Sequence, residues 1–199
     1  FYEALVLLRF GRFNEILALT EAPEQPLQLG LWRFARGYAH LRAGDADSAS
    51  VYLAMVDEAA RTLPETVQMR NHTASSLLGI TGDILRGEIL RSQGKLDEAI
   101  AAFESAVEKQ DRLRYDEPEP LPFAARHWLG DALLEAGRYA DAEQVYRRSL
   151  VQHPHNGWSL YGLEQALRAQ GKTAEAEEVN AQFAQAWARA DIVIRSSIF

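Results

Sequence analysis

Five glycines set the frame of this chain. They sit in the runs Arg9-Phe10-Gly11-Arg12-Phe13, Arg42-Ala43-Gly44-Asp45-Ala46, Ser92-Gln93-Gly94-Lys95-Leu96, Glu135-Ala136-Gly137-Arg138-Tyr139 and Ala169-Gln170-Gly171-Lys172-Thr173. Their separations are 33, 50, 43 and 34 residues. Seven residues before each glycine stand Ala4, Gly37, Gly87, Gly130 and Glu164, and five after each stand Ile16, Ala49, Ala99, Ala142 and Ala176. Nine after each come Thr20, Leu53, Phe103, Tyr146 and Asn180. A glycine at the end of a helix supplies the left-handed conformation that closes it. Small residues on both sides of the turn let two helix axes approach, and a large residue one turn on fills the groove. Repeats of this kind cannot bury their apolar faces alone and must stack.

The periodicity predicts first helices over 2–9, 28–43, 74–93, 122–136 and 157–170. Second helices are predicted over 12–20, 46–62, 96–113, 139–152 and 173–189. Prolines punctuate the joints: Pro23 and Pro26, then Pro64, then Pro118, Pro120 and Pro122. The stretch 64–73 reads either as more helix or as a loop.

This pattern resembles the tetratricopeptide repeat family. The resemblance rests on Gly37, Gly44, Ala49 and Leu53; on Gly87, Gly94, Ala99, Phe103 and Ala106; and on Leu129, Gly130, Gly137, Ala142, Tyr146 and Pro154. A fifth unit keeps Leu163, Leu167, Gly171 and Ala176, and the first unit is degenerate. The resemblance implies an all-α fold, a right-handed superhelical solenoid of antiparallel helix hairpins. It places one domain over 1–199, with units of about 1–26, 27–73, 74–121, 122–155 and 156–190 and a tail at 191–199. The chain opens Phe1-Tyr2-Glu3 rather than on Met, inside a first helix. With the block Tyr115-Asp116-Glu117-Pro118, Arg126 and Asn156-Gly157-Trp158, this sets the expectation of a piece of a longer bacterial array.

Arg33, Asp83 and Arg126 occupy a position where the family often has a large residue, and Arg36 and Arg86 one where it often has leucine. Two explanations stand open. Either the first helices are rotated slightly, or these arginines pair with nearby acids, as a buried arginine must.

Composition narrows the chemistry. With no cysteine, thiolate metal sites, disulfides and cysteine nucleophiles are excluded. A net charge of −7 argues against a nucleic-acid partner, and no apolar run approaches the roughly 18 residues of a spanning helix. No phosphate-binding loop, zinc-protease motif or nucleophile elbow is present. His153 and His155 flank Pro154 and read as a helix end rather than a metal pair. The expectation is a non-catalytic chain without cofactor or metal.

Function is then expected on the inner face, which the first helices line in the family. Residues ten and six before each turn glycine share one helical side. With their neighbours they give the candidate partner-binding set Phe34, Tyr38, Arg42, Glu88, Arg91, Arg126, His127, Asp131, Trp158, Tyr161 and Arg168. Aromatics and arginines are typical interface anchors, although an aromatic at helical spacing also reads as core. The lysine and asparagine set with which some family members grip a chaperone's terminal carboxylate is missing. The leading reading is a protein- or peptide-binding scaffold, with a homo-oligomer left open. The alternative is a small-molecule or metal-ligand binder, part of a larger enzyme, with its site near 115–131 and 156–162. The loop Asp116–Pro122 is either a solvated linker or a strap over the groove. The apolar tail 191–199 either caps the last hairpin, pairs with another chain or frays.

Overall fold

A computed structural model describes residues 1–198. Ten helices pair as five hairpins: α1 (Tyr2–Arg9) with α2 (Phe13–Ala18), α3 (Pro26–Arg42) with α4 (Ala46–Thr62), α5 (Ala74–Ser92) with α6 (Leu96–Asp111), α7 (Ala125–Glu135) with α8 (Tyr139–Gln152), and α9 (Gly157–Ala169) with α10 (Thr173–Ala186). The architecture is an all-α helical repeat. The stretch left open between α4 and α5 is neither helix nor plain loop. It holds two two-residue strands, β1 (Gln68–Met69) and β2 (His72–Thr73), paired antiparallel.

Local chemistry explains the boundaries. All five turn glycines adopt φ between 65° and 86°, where a side chain would strain the backbone. Asp45, Thr73 and Asn156 cap α4, α5 and α9 by accepting from the backbone N–H three residues on. Pro26 opens α3 in the first turn, where its missing N–H costs nothing. The start of α7 falls three residues later than the sequence suggests. Its Pro120–Phe123 approach is an irregular segment in which Leu121 and Phe123 are buried.

The chain divides into two compact units, Phe1–Ala125 and Arg126–Phe199. In the first, α3 and α5 bring Phe34, Tyr38, Leu77, Ile84 and Leu85 into a core free of solvent. A Cβ on Gly87 would overlap the Phe103 ring, so the missing side chain is what lets α5 and α6 close. The second unit repeats the device with one tyrosine serving two helices. Tyr146 of α8 lies against Gly130 of α7 and Gly162 of α9, and a Cβ on either glycine would strike its ring. In the second hairpin Tyr52 rather than Leu53 faces Gly37.

Of these arginines Arg86 pairs with acids, whereas Arg36 is satisfied by carbonyls and a phenol. Arg36 donates to the carbonyls of Ile16, Leu17 and Leu19 at 3.0–3.3 Å and to the Tyr52 hydroxyl at 3.0 Å. Arg86 bridges Asp57 of α4 (2.6 Å) and Asp83 (2.7 Å), and Asp83 also binds Lys109.

Candidate functional site

In the first unit the inner-face candidates on α3 and α5 form one connected cluster. The Tyr38 hydroxyl donates to Glu88 Oε2 at 2.9 Å, and Arg91 reaches Glu88 Oε1 at 3.4 Å. The Phe13 ring stacks on Tyr38, with ring centres 5.9 Å apart, and Arg42 sits 5.6 Å above Phe13. Phe34 meets Tyr38 edge-on at 6.1 Å and Phe123 at 5.9 Å. Phe34, Tyr38 and Glu88 are buried, Arg91 is half-buried, and Arg42 is exposed. Phe123, carried by the irregular segment before α7, lies against the aromatic that the sequence offered to a partner.

The proline loop has a definite anchor in the same unit. Asp116 accepts from Arg70 Nε at 2.9 Å and lies 3.2 Å from His72 Nε2, while Arg70 also donates to the Pro118 carbonyl at 2.6 Å. The β1–β2 turn thus fastens the loop, with Arg70 itself at φ 54°. Of its acids Asp116 serves that fastening, while Glu117 accepts from the Tyr115 hydroxyl at 2.5 Å and Glu117 and Glu119 are exposed.

In the second unit, His127 is almost wholly buried and its Nε2 lies 3.0 Å from Ser159 Oγ. Ser159 in turn donates to Ser149 Oγ at 2.9 Å. Both serines are buried, so this His–Ser–Ser chain joins α7, α9 and α8 from within and offers no accessible nucleophile. Trp158 packs edge-on against Trp187 at 4.8 Å, and Arg168 is tied to Glu164 one turn before it. Arg126 is buried at the start of α7. Asp131 and Tyr161 remain on a concavity of about 240 Å³ with Leu134, Gln165, Arg195 and Ser197.

None of those four neighbours is in the candidate set read from the sequence, and two of them, Arg195 and Ser197, come from the tail. Residues 192–198 fold back on their own unit. Ile194, Ser197 and Ile198 are buried. Ser197 Oγ lies 2.6 Å from the Tyr146 hydroxyl and donates to the His127 carbonyl at 2.9 Å. Tyr161 donates to the Arg195 carbonyl at 3.2 Å, and Trp187 to the Ile192 carbonyl at 2.9 Å. Burial first, then the nearby Glu164 and Asp131 carboxylates, raise the Tyr161 pKa above its usual value and keep the phenol a donor. The only sequence signal for this contact was the β-prone character of the tail. The sequence marks Tyr146 as a groove filler, and its hydroxyl adds this second contact.

Among the described residues no cluster of three or more His, Asp or Glu side chains could hold a metal ion. No helix among them is long and apolar enough to cross a membrane.

Two family models, each described as a tetratricopeptide repeat, match residues 84–157 and 133–186. The chain belongs to the tetratricopeptide repeat family. Such repeats typically bind protein partners and are typically non-catalytic. The cellulose synthase 1 operon protein C of Komagataeibacter xylinus is 32% identical over 144 residues, which cover 72% of this chain. The match spans 10% of that relative's length.

Proposed function

We propose that this chain is a non-catalytic scaffold whose α7–α9 face grips a short non-helical peptide segment of a protein partner. The observation that supports the reading is the tail itself. Residues 194–198 lie on that face through buried isoleucines, one serine hydroxyl and one backbone carbonyl. Such contacts read a non-helical segment, bent over residues 195–197, with a small polar residue between two aliphatic ones. The set His127, Asp131 and Tyr161 contributes a carbonyl, a carboxylate and a phenol donor around it. The candidates Arg42, exposed, and Arg91, half-buried and paired with Glu88, stand at the rim of the first unit's inner face, where they suit an acidic segment.

The test is competition. A labelled peptide of residues 192–198 is titrated against the intact chain and against an Ile194→Asp, Ser197→Asp variant whose own tail is dislodged. The peptide should bind the variant about tenfold more tightly, because no internal competitor remains. Addition of Tyr161→Phe should weaken it again. Equal binding to both proteins, or none to either, would sink the proposal.

The relative named above belongs, by its name, to a cellulose synthase operon. A narrower form of the proposal is that the gripped segment belongs to a polysaccharide-synthesising assembly. Crosslinking at Asp131 in the producing cell tests this by identifying which protein is captured.

A further inference from the structure

The first hairpin is missing most of its second helix, and the space it leaves is open. α2 has 6 residues, whereas α4, α6, α8 and α10 have 17, 16, 14 and 14. It stops where Arg36 of α3 gathers the carbonyls of Ile16, Leu17 and Leu19, after which the chain departs through Thr20–Gln25. A longer α2 would continue along α3 toward that helix's N-terminus, past Arg33, Leu29 and Pro26. Those three residues share the side of α3 that Arg36 occupies, one turn apart. Together with Val51, Ala54, Met55 and Thr62 of α4 they line a groove of about 590 Å³. Val51 and Met55 are exposed there, at 54% and 39%.

The next hairpin shows what such a seat holds when filled. There α4 runs its full length beside α5, bringing Val56 and Asp57 against Gly82 and pairing Asp57 with Arg86 at 2.6 Å. A second helix there supplies apolar cover and a carboxylate to Arg86, which stands where Arg36 does; in place of Arg33 this hairpin has Asp83, paired with Lys109 of α6. At the open seat Arg36 is satisfied by carbonyls of the short α2, and a second cation, Arg33, stands one turn further along α3. Arg33 is half-buried in the groove, and among the described residues it has no ion pair or hydrogen bond. Glu58, also on the groove, is occupied by Arg61.

We propose that this α3–α4 groove is a docking seat for an amphipathic helix of a partner protein, about two turns long, that presents a carboxylate to Arg33. From Pro26 to Arg33 the seat measures roughly 11 Å, at about 1.5 Å per residue. A helix fits because the flanking surfaces are helix ridges spaced to receive another. A carboxylate is specified because an arginine held among apolar side chains is satisfied best by a planar anion. The site stands in the first unit and is independent of peptide binding by α7 and α9.

The two methionines make the experiment direct, since Met55 lines the groove and Met69 lies in β1. The full chain, labelled with 13C at its methionine methyls, is titrated with an acetylated, amidated peptide of the α4 sequence Ala46–Thr62. The Met55 resonance should shift saturably while that of Met69 stays still. A peptide carrying Asp57→Lys should bind about tenfold more weakly. In the Arg33→Glu protein this preference should reverse, and in Arg33→Gln it should vanish, with Met69 unmoved in both as the check on folding. A Met55 signal that never moves, or that moves equally for both peptides whatever residue stands at 33, would overturn the proposal. So would a Met55 shift produced by raising the protein concentration alone, which would assign the groove to a second copy of the chain.

Discussion

Glu143 shows how single side chains are tuned in the second unit. Burial pushes its carboxyl up, but Lys172 (2.6 Å), Arg147 (2.8 Å) and Gln170 (2.8 Å) outweigh this and hold its pKa at about 2, against the usual 4.5. A depressed folded-state pKa means stability that is fully present above 4.5 and lost as the pH falls through about 2. In thermal melts between pH 5 and 2, the native chain should therefore lose stability more steeply than Glu143→Gln. At neutral pH the variant should be the weaker by roughly 1 kcal/mol, a small figure because Arg147 and Lys172 are nearly half in water. Equal slopes for the two proteins would show that Glu143 is not the group responsible. His127 belongs to the same scale. Its sequence position suggested a partner contact, yet its ring is spent on Ser159 inside the unit. A one-residue pattern identifies a helix face, but not whether a serine across the interface has already claimed the imidazole.

At the scale of elements, the unit of construction is a glycine on one helix meeting an aromatic on the next. Tyr146 carries this twice, against Gly130 and Gly162. Gly130→Ala should therefore force the ring aside and destabilise the second unit by about 1–3 kcal/mol, as overpacking does in close-packed cores. It should also loosen the tail, whose Ser197 hangs on the Tyr146 hydroxyl. The check is a denaturant melt combined with the fluorescence of Trp187, whose ring N–H binds the Ile192 carbonyl. Unchanged stability in Gly130→Ala would contradict the packing account. The helices themselves were legible in the sequence because glycine, alanine and the capping residues act locally. The repeat phase placed α1, α4 and α8 at their observed limits and the others within three residues. The β1–β2 turn was not legible. Its purpose is to present Arg70 and His72 to Asp116, 46 and 44 positions away, and no local periodicity encodes such a pairing.

For the molecule as a whole, protection is expected to follow burial along the array. Twelve residues of α5 are buried, whereas α2 buries Ile16 alone and α10 only Ala176 and Val179. In arrays where each repeat touches only its neighbours, stability is a sum of local and interface contributions. Native-state hydrogen exchange should find the slowest amides in α5 and the fastest helical ones in α2 and α10. Uniform protection across all ten helices would argue for a single cooperative block. The five-hairpin order, the family, and the lack of cysteine chemistry were fixed by local spacing and composition. Those properties depend on residue type and on helical period, which a chain carries with it unfolded. What only the tertiary structure decided was occupancy. It placed Phe34 and Tyr38 in the core beneath Phe123, laid residues 194–198 along α7 and α9, and left Arg33 in an open groove beside a shortened α2. Each of these depends on which distant segment fits a surface best, and local spacing along the chain carries no record of that.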